Sequence, residues 1–386
     1  MPDALSEEHL RAVHADLADL VRRTPTLTSA SMSARCGGTV AFKAECLQRT
    51  GSFKLRGALA KLRALGGTTD GVVAASAGNH GQSLAYAARR QGLRCEVYMP
   101  RGAPISEVEA VRAFGAEVHE EGASVEESLH LARARARASG MTFVHPFDDL
   151  DVIAGQAGVG IELAEDVGEP AKVVVPIGGG GLAAGIGAAL AQLRPEVEIV
   201  GVRAARLETI ADGIAVKHPG ALTSPLIERH LEAVVTVEEQ AIAEAMTVLL
   251  DRAKLLVEGA GAAALAALLS GEVAPAPAGV TVVILSGGNV DVGRLAGIVA
   301  HEETRAGRRA RILTRVPDRP GSLAALLAAV AAAGANLLSV EHVRDGVPLD
   351  VGETAIALTV ETRGPDHLAQ MKRDLRSVGY RFTQER

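Results

Sequence analysis

Between Val72 and Leu285, short runs rich in β-branched residues alternate with helical stretches. That alternation restricts the chain to parallel sheets covered by helices on both faces. The runs Val72-Val73-Ala74-Ala75, Lys172-Val173-Val174-Val175-Pro176 and Thr281-Val282-Val283-Ile284-Leu285 lack the polar alternation of a half-exposed strand, so they read as buried strands. Each leads into a loop of small and polar residues. These are Ser76-Ala77-Gly78-Asn79-His80-Gly81-Gln82, Gly178-Gly179-Gly180-Gly181-Leu182 and Ser286-Gly287-Gly288-Asn289. In parallel sheets the carboxyl ends of strands converge on one crevice, so three such loops predict a single site.

A fourth stretch, Thr50-Gly51-Ser52-Phe53-Lys54-Leu55-Arg56-Gly57-Ala58, follows the short strand Val40–Glu45 and opens a helix at Lys54. The positive end of the helix dipole repels an ammonium, and the same field favours the neutral amine that Schiff-base chemistry requires. The four glycines at 178–181 let main-chain amides turn inward at a helix N-terminus, which makes a phosphate seat. Gly178, Gly180 and Ala183 also fit a G-x-G-x-x-A dinucleotide pattern. The next strand ends at Val202-Arg203 without an acidic residue for a ribose, so an NADP-type oxidoreductase site stands as an alternative. The Ser76–His80 loop offers amides and side chains to a carboxylate or a ring hydroxyl. A simple capped helix start explains it equally well, and His80 alone reads as structural rather than as a base.

With 386 residues, the chain is long enough for two or three domains. A highly charged stretch at 301–310 reads as a linker, leaving a catalytic unit over 1–300 and a small domain over 311–386. Within the first, a larger domain is expected from about 1–45 and 150–300, and a smaller one from about 46–149. The last segment reads strand, helix, strand, strand, helix, strand, the βαββαβ order of a ferredoxin-like sandwich. A net charge of −6 argues against a nucleic-acid partner. Cys36, Cys46 and Cys95 form no CxxC pair, which fits reduced thiols in a cytoplasmic setting and no zinc site. Neither a signal peptide nor a membrane span is expected.

Taken together and in this order, the Lys54, Asn79, Gly178–Leu182 and Ser286 motifs resemble those of fold-type II (tryptophan synthase β-like) pyridoxal-phosphate enzymes. Within that group they resemble the threonine dehydratase, or threonine ammonia-lyase, family over roughly residues 5–300. Residues 311–386 resemble an ACT regulatory domain through Val316-Pro317-Asp318-Arg319-Pro320-Gly321-Ser322-Leu323 and Gly334-Ala335-Asn336. The resemblance implies pyridoxal 5'-phosphate as cofactor. It implies that Lys54 bonds the cofactor and then serves as the base at the substrate Cα. Phe53 would lie beside the pyridine ring and Asn79 would bond the ring hydroxyl. Gly178, Gly179, Gly180, Gly181 and Leu182 would bind the phosphate, and Ser286 would meet the ring nitrogen. Ser76, Ala77, Asn79 and His80 would line the substrate carboxylate site.

The implied reaction is β-elimination from L-threonine to 2-oxobutanoate and ammonia, and from L-serine to pyruvate, in the service of isoleucine biosynthesis. A branched-chain amino acid would regulate it allosterically from near Pro320, Gly321 and Asn336. A serine at the ring nitrogen is a weaker proton partner than an aspartate, which favours prompt loss of the β-hydroxyl over transamination. The related serine racemases carry a second serine where this chain has Ala77, so dehydration without efficient racemisation is expected. They also carry a metal-binding glutamate where Arg203 stands, so no divalent metal is expected there. The segment Arg203–Ala211 is shorter than usual, which keeps other β-hydroxy amino acids, and a serine racemase/dehydratase, open as alternatives. A catalytically silent amino-acid sensor is a more remote one. Exposed sheet edges in the last domain predict a homo-oligomer, dimer or tetramer.

Overall fold

The structure, a computed structural model, describes residues 3–217 and 219–385. It comprises two compact units, Met1–Asp291 and Val292–Arg386. Strands of the first unit are β1 (Thr26–Thr28), β2 (Val40–Lys43), β3 (Val72–Ala75), β4 (Cys95–Met99), β5 (Glu117–Glu120), β6 (Thr142–Phe143), β7 (Pro170–Pro176), β8 (Glu198–Ala204), β9 (Ala233–Val237) and β10 (Val280–Ile284). They build two sheets, ordered β1-β2-β10-β7-β8-β9 and β5-β4-β3-β6. Every pairing is parallel except that of β1 with β2. The expected parallel α/β architecture is therefore present. Val173, Val174, Val175, Val282, Val283 and Ile284 are fully buried, as strands covered on both faces require. Strands β1, β6 and β9 were not legible in the sequence. The first is three residues with a largely polar surface, the second is two residues long, and most of the third is exposed.

The first long helix, Glu7–Leu17, is capped by Ser6, whose hydroxyl accepts the His9 N–H at 3.4 Å. Beyond it the main chain of Arg22 pairs with a distant side chain. Its N–H donates to Gln48 Oε1 and its carbonyl accepts from Gln48 Nε2, both at 2.8 Å.

Helix Leu150–Asp166 is the floor on which two functional stretches rest. A Cβ on Gly155 would come within 2.5 Å of the Arg56 carbonyl, so glycine lets helix Lys54–Leu65 cross at close range. On helix Gly181–Leu193, a Cβ at Gly185 would lie 2.7 Å from Ile153 O and Ala157 N of the same floor. Small residues thus set how near the lysine loop and the glycine loop lie to one support.

Charge holds the first of these crossings. Arg56 is 1% exposed and forks between two fully buried carboxylates. Its Nε and Nη2 donate to Glu45 at 2.9 and 2.8 Å, and its Nη1 and Nη2 to Glu162 at 2.7 and 2.9 Å. Lys43, also fully buried, donates to Glu162 Oε2 at 2.6 Å and to the Thr24 carbonyl at 2.7 Å. Two cations against two carboxylates leave the cluster neutral, and its hydrogen bonds compensate the desolvation.

The second unit opens with helix Val292–Arg305 and continues through β11 (Arg309–Pro317), β12 (Asn336–Val343), β13 (Glu353–Glu361) and β14 (Phe382–Glu385). The charged stretch 301–310 is thus helix through Arg305 and strand from Arg309. The four strands form an antiparallel sheet ordered β12-β13-β11-β14. Helices Ser322–Ala332 and Pro365–Ser377 contribute Leu326, Val330, Leu368, Met371 and Leu375 to a core with Ile312, Ile356 and Leu358. This is the expected βαββαβ sandwich. No helix among the described residues is long and apolar enough to cross a membrane.

Breaking a buried ion pair by removing one partner leaves a buried charge behind. Arg56→Ala should therefore lower stability by about 3–5 kcal/mol. Arg11→Ala, which removes only exposed ion pairs to Glu7 and Glu165, should lower it by less than about 1 kcal/mol. Urea unfolding followed by circular dichroism measures both, and equal losses would contradict the assigned role of the cluster.

Candidate functional site

The four stretches meet at the carboxyl ends of β2, β3, β7 and β10. Two of them are stitched together by main-chain bonds. Ser52 bridges Gly287, the Phe53 N–H donates to Ser286 O at 3.0 Å, and the Gly288 N–H donates to Gly51 O at 2.8 Å. Asn289 joins a third, its Nδ2 donating to Thr50 O at 2.8 Å and to Asn79 Oδ1 at 2.7 Å. Phe53 packs against the core cluster that contains Ile177 and Leu182, on either side of the glycines.

Lys54 is the first residue of its helix, as expected. Its Nζ donates to the Pro146 carbonyl at 2.9 Å and stands 5.2 Å from the centre of the Phe53 ring. Its pKa falls from 10.5 to about 8. Burial is the cause, partly opposed by the carboxyl of Glu258; the sequence had suggested the helix dipole instead.

The glycine loop is shaped for an anion. Helix Gly181–Leu193 has no side-chain cap, so its first N–H groups are not served by a capping side chain. Gly179 lies flat under Phe147, where a Cβ would sit 2.1 Å from the ring. The Gly179 carbonyl accepts from Thr223 Oγ1 at 2.6 Å, which turns the loop's carbonyl side away. The helices that begin at Lys54, Asn79 and Gly259 likewise lack side-chain caps. Buried Ser52 Oγ has no hydrogen-bond partner among the described residues. An amine, a glycine loop at an uncapped helix start and an unsatisfied hydroxyl in one place fit pyridoxal phosphate, which Lys54 could bond and whose phosphate residues 178–182 could take.

The remaining expected residues are placed as follows. Ser286 is 3% exposed and faces the lysine loop through its main chain. Ser76 Oγ accepts the Gly78 N–H at 3.2 Å, and Ala77 is half-buried against the smaller sheet's core. The His80 imidazole is buried and its Nε2 donates to Val144 O at 3.1 Å. Burial, reinforced by the Lys54 charge, lowers its pKa to about 3. The imidazole is therefore neutral and already committed, and what His80 can offer a carboxylate is its main-chain N–H. Arg203 lies in β8. In the second unit Pro320, Gly321 and Asn336 are exposed, with Asn336 Nδ2 donating to Glu361 at 3.0 Å.

Sequence reasoning passed over His145-Pro146-Phe147-Asp148 and Glu258. His145 Nδ1 accepts the N–H groups of Phe147 and Asp148, at 3.3 and 2.8 Å, and so shapes the turn that receives Lys54. Asp148 accepts main-chain N–H groups of Ala221, Leu222 and Thr223, pinning the helix that supports Gly179. Glu258 is 7% exposed and accepts from Asn79 Nδ2 at 2.7 Å. The visible signal was a polar and aromatic cluster, His145 to Asp149, between a short strand and a helix. Elsewhere Glu96, Glu117 and His119 form an acidic group, with Arg94 and Arg135 as counterions to Glu96.

Comparison with known proteins places the chain in a family. A family model described as pyridoxal-phosphate dependent enzyme matches residues 17–287, and one described as ACT domain matches 310–379. An L-threonine ammonia-lyase of Thermotoga maritima is 40% identical, over 97% of this chain and 98% of its own. The solved threonine deaminase of tomato, Solanum lycopersicum, in its processed form, has a TM-score of 0.70 at 30% identity, covering 76% of this chain and 88% of its own. Maize serine racemase has a TM-score of 0.72 at 33% identity, covering 78% and 98%. The dinucleotide reading of Gly178, Gly180 and Ala183 gives way to the first of these matches.

The lowered pKa of Lys54 has a measurable sign. The unfolded amine takes up a proton below 10.5, the folded amine only below about 8. The folded state is therefore penalised in full below about 8, and the penalty disappears as pH rises to 10.5. Cofactor-free Lys54→Met should be more stable than the native chain at neutral pH. Thermal unfolding at several pH values should show the gap closing between 8 and 10.5. A gap independent of pH would contradict the burial of the amine.

Proposed function

The chain belongs to the pyridoxal-phosphate dependent enzymes and carries an ACT domain, and from there we propose that it deaminates L-threonine to 2-oxobutanoate and ammonia. The observation that carries the proposal is the convergence of the Lys54, Asn79, Gly178–Leu182 and Ser286 stretches around one partly neutral amine. Threonine ammonia-lyase and threonine deaminase among the relatives supply the substrate.

Bound pyridoxal phosphate supplies the electron sink that acidifies the substrate Cα–H. Lys54 Nζ is the group that bonds the cofactor and that takes the Cα proton. A pKa near 8 suits a base working near neutral pH. The uncapped amides of residues 178–182 would hold the phosphate, in a loop that packs against Phe147. Asn79 would hold the ring hydroxyl, and the Ser286 hydroxyl would face the ring nitrogen without fixing a charge there. The main-chain N–H groups of the Ser76–His80 turn, with Ser76 Oγ, orient the substrate carboxylate. Ala77 offers no proton to the opposite face of Cα, so loss of the β-hydroxyl prevails over inversion. The nitrogen leaves as ammonia and the carbon skeleton as the 2-oxo acid.

L-Serine, lacking only the β-methyl group, is a second substrate and gives pyruvate. The ACT domain takes a branched-chain amino acid near Pro320, Gly321 and Asn336 and regulates the reaction. The chain works as a homo-oligomer. The shared fold with serine racemase supports one competing reading, in which inversion of serine accompanies dehydration.

Assays of ammonia and 2-oxo acid from L-threonine and L-serine, with and without isoleucine or valine, test the proposal. Native protein should release both products in equal amounts. Lys54→Ala should lose activity by about 10²–10⁴-fold or more, the scale of a general base. Ala77→Ser should gain D-serine formation from L-serine. Threonine left intact while another β-hydroxy amino acid is consumed, or D-serine as the native chain's main product, would overturn it.

A further inference from the structure

The orientation of a buried carboxamide is set by its neighbours, because its oxygen and nitrogen ends differ only in whether they accept or donate. Asn79 is clamped at both ends. Its Oδ1 accepts from Asn289 Nδ2 at 2.7 Å and its Nδ2 donates to Glu258 Oε1 at 2.7 Å. Asn289 has no freedom to reverse the arrangement, since the same Nδ2 donates to the Thr50 carbonyl at 2.8 Å. Glu258 is itself held. It lies just before helix Gly259–Leu269, and its own N–H donates to Gly287 O at 3.1 Å in the loop that bears Ser286. A carboxamide nitrogen carries two hydrogens, and Glu258 engages one of them.

We propose that Glu258 is the positioning residue for Asn79, fixing its carboxamide so that the second Nδ2 hydrogen points to the oxygen of the bound cofactor. This rests on the reading that Asn79 meets the ring hydroxyl. The groups facing Glu258 are Asp212, Asn79, Glu107 and Lys54. Burial, with Asp212 and Glu107 adding to it, pushes its carboxyl up to about 8, and Asn79 and Lys54 oppose that rise. Protonated or not, the side chain presents an oxygen that accepts from Asn79. The geometry and not the charge is what it supplies. Its side chain touches Asn79 and not the reacting atoms, so it acts through another residue.

Charge and reach separate by substitution. Glu258→Gln keeps an accepting oxygen at the same distance and drops the charge. Glu258→Asp keeps the charge and withdraws the oxygen by one methylene. Equilibrium titration of the cofactor-free protein with pyridoxal phosphate, followed by absorbance, reads the result without reference to turnover. Glu258→Ala and Glu258→Asp should weaken binding about tenfold, the scale of one lost hydrogen bond. Glu258→Gln should remain within about twofold. In an Asn79→Ala background, Glu258→Ala should add nothing, as expected of residues acting as one unit. Equal weakening by Ala and Gln, equal weakening by Glu258→Ala in both backgrounds, or no weakening by Glu258→Ala would overturn the proposal. If Asn79→Ala alone leaves binding unchanged, the reading of Asn79 fails and this inference falls with it. Glu258→Gln and Glu258→Asp decide the question if the alanine variant does not fold.

Discussion

Two residues beyond Lys54, Arg56 is gripped by Glu45 and Glu162 in a dry interior, and the position of the reactive lysine depends on that grip. A guanidinium forked between two carboxylates is directional in a way that apolar packing is not. It fixes the first turn of helix Lys54–Leu65 against helix Leu150–Asp166 and against the turn after β2 at once. The close crossing at Gly155 sets the same distance by shape. A lysine on a flexible loop could keep its amine in water. Here the backbone leaves it no choice, and desolvation brings its pKa down.

The rest of the site follows from where parallel strands end. Loops after β3 and β7, and the turn before Gly259, open helices that lack side-chain caps, so helix N-termini without a capping side chain gather on one side of the sheets. Such a collection favours a phosphate and a carboxylate over any neutral ligand. The same cleft also gathers carboxyls. Asp212 and Glu107 raise the proton affinity of Glu258, and Glu258 keeps the Lys54 amine from falling further. The site thus combines positive backbone dipoles at the glycine loop with a proton-rich network around Asn79.

Much of this was legible because it is local. A strand, a glycine-rich turn and a helix start occupy a short consecutive stretch, so the loops at Ser76, Gly178 and Ser286 and the lysine at 54 stand out in the sequence. The C-terminal βαββαβ order is local in the same sense. What escaped notice depends on partners far apart in the chain. Asn79 and Glu258 are 179 residues apart, and Asp148 lies 73 to 75 residues from the amides it caps. The His80 imidazole illustrates the converse. Its place beside Asn79 suggested a carboxylate ligand, but its ring is spent on Val144 O, 64 residues on. The place of Lys54 at a helix start is visible in the sequence, whereas the cause of its low pKa is not, because burial depends on the whole fold and a helix dipole on one segment.

Lys54, held at this junction, is the one lysine proposed to bond the cofactor. Borohydride reduction of the cofactor-loaded protein, followed by peptide mapping, tests it directly. The pyridoxyl mass should appear on Lys54 alone. A label on Lys43 or Lys61, the nearest lysines in sequence, or no label on a protein that has bound pyridoxal phosphate, would contradict it.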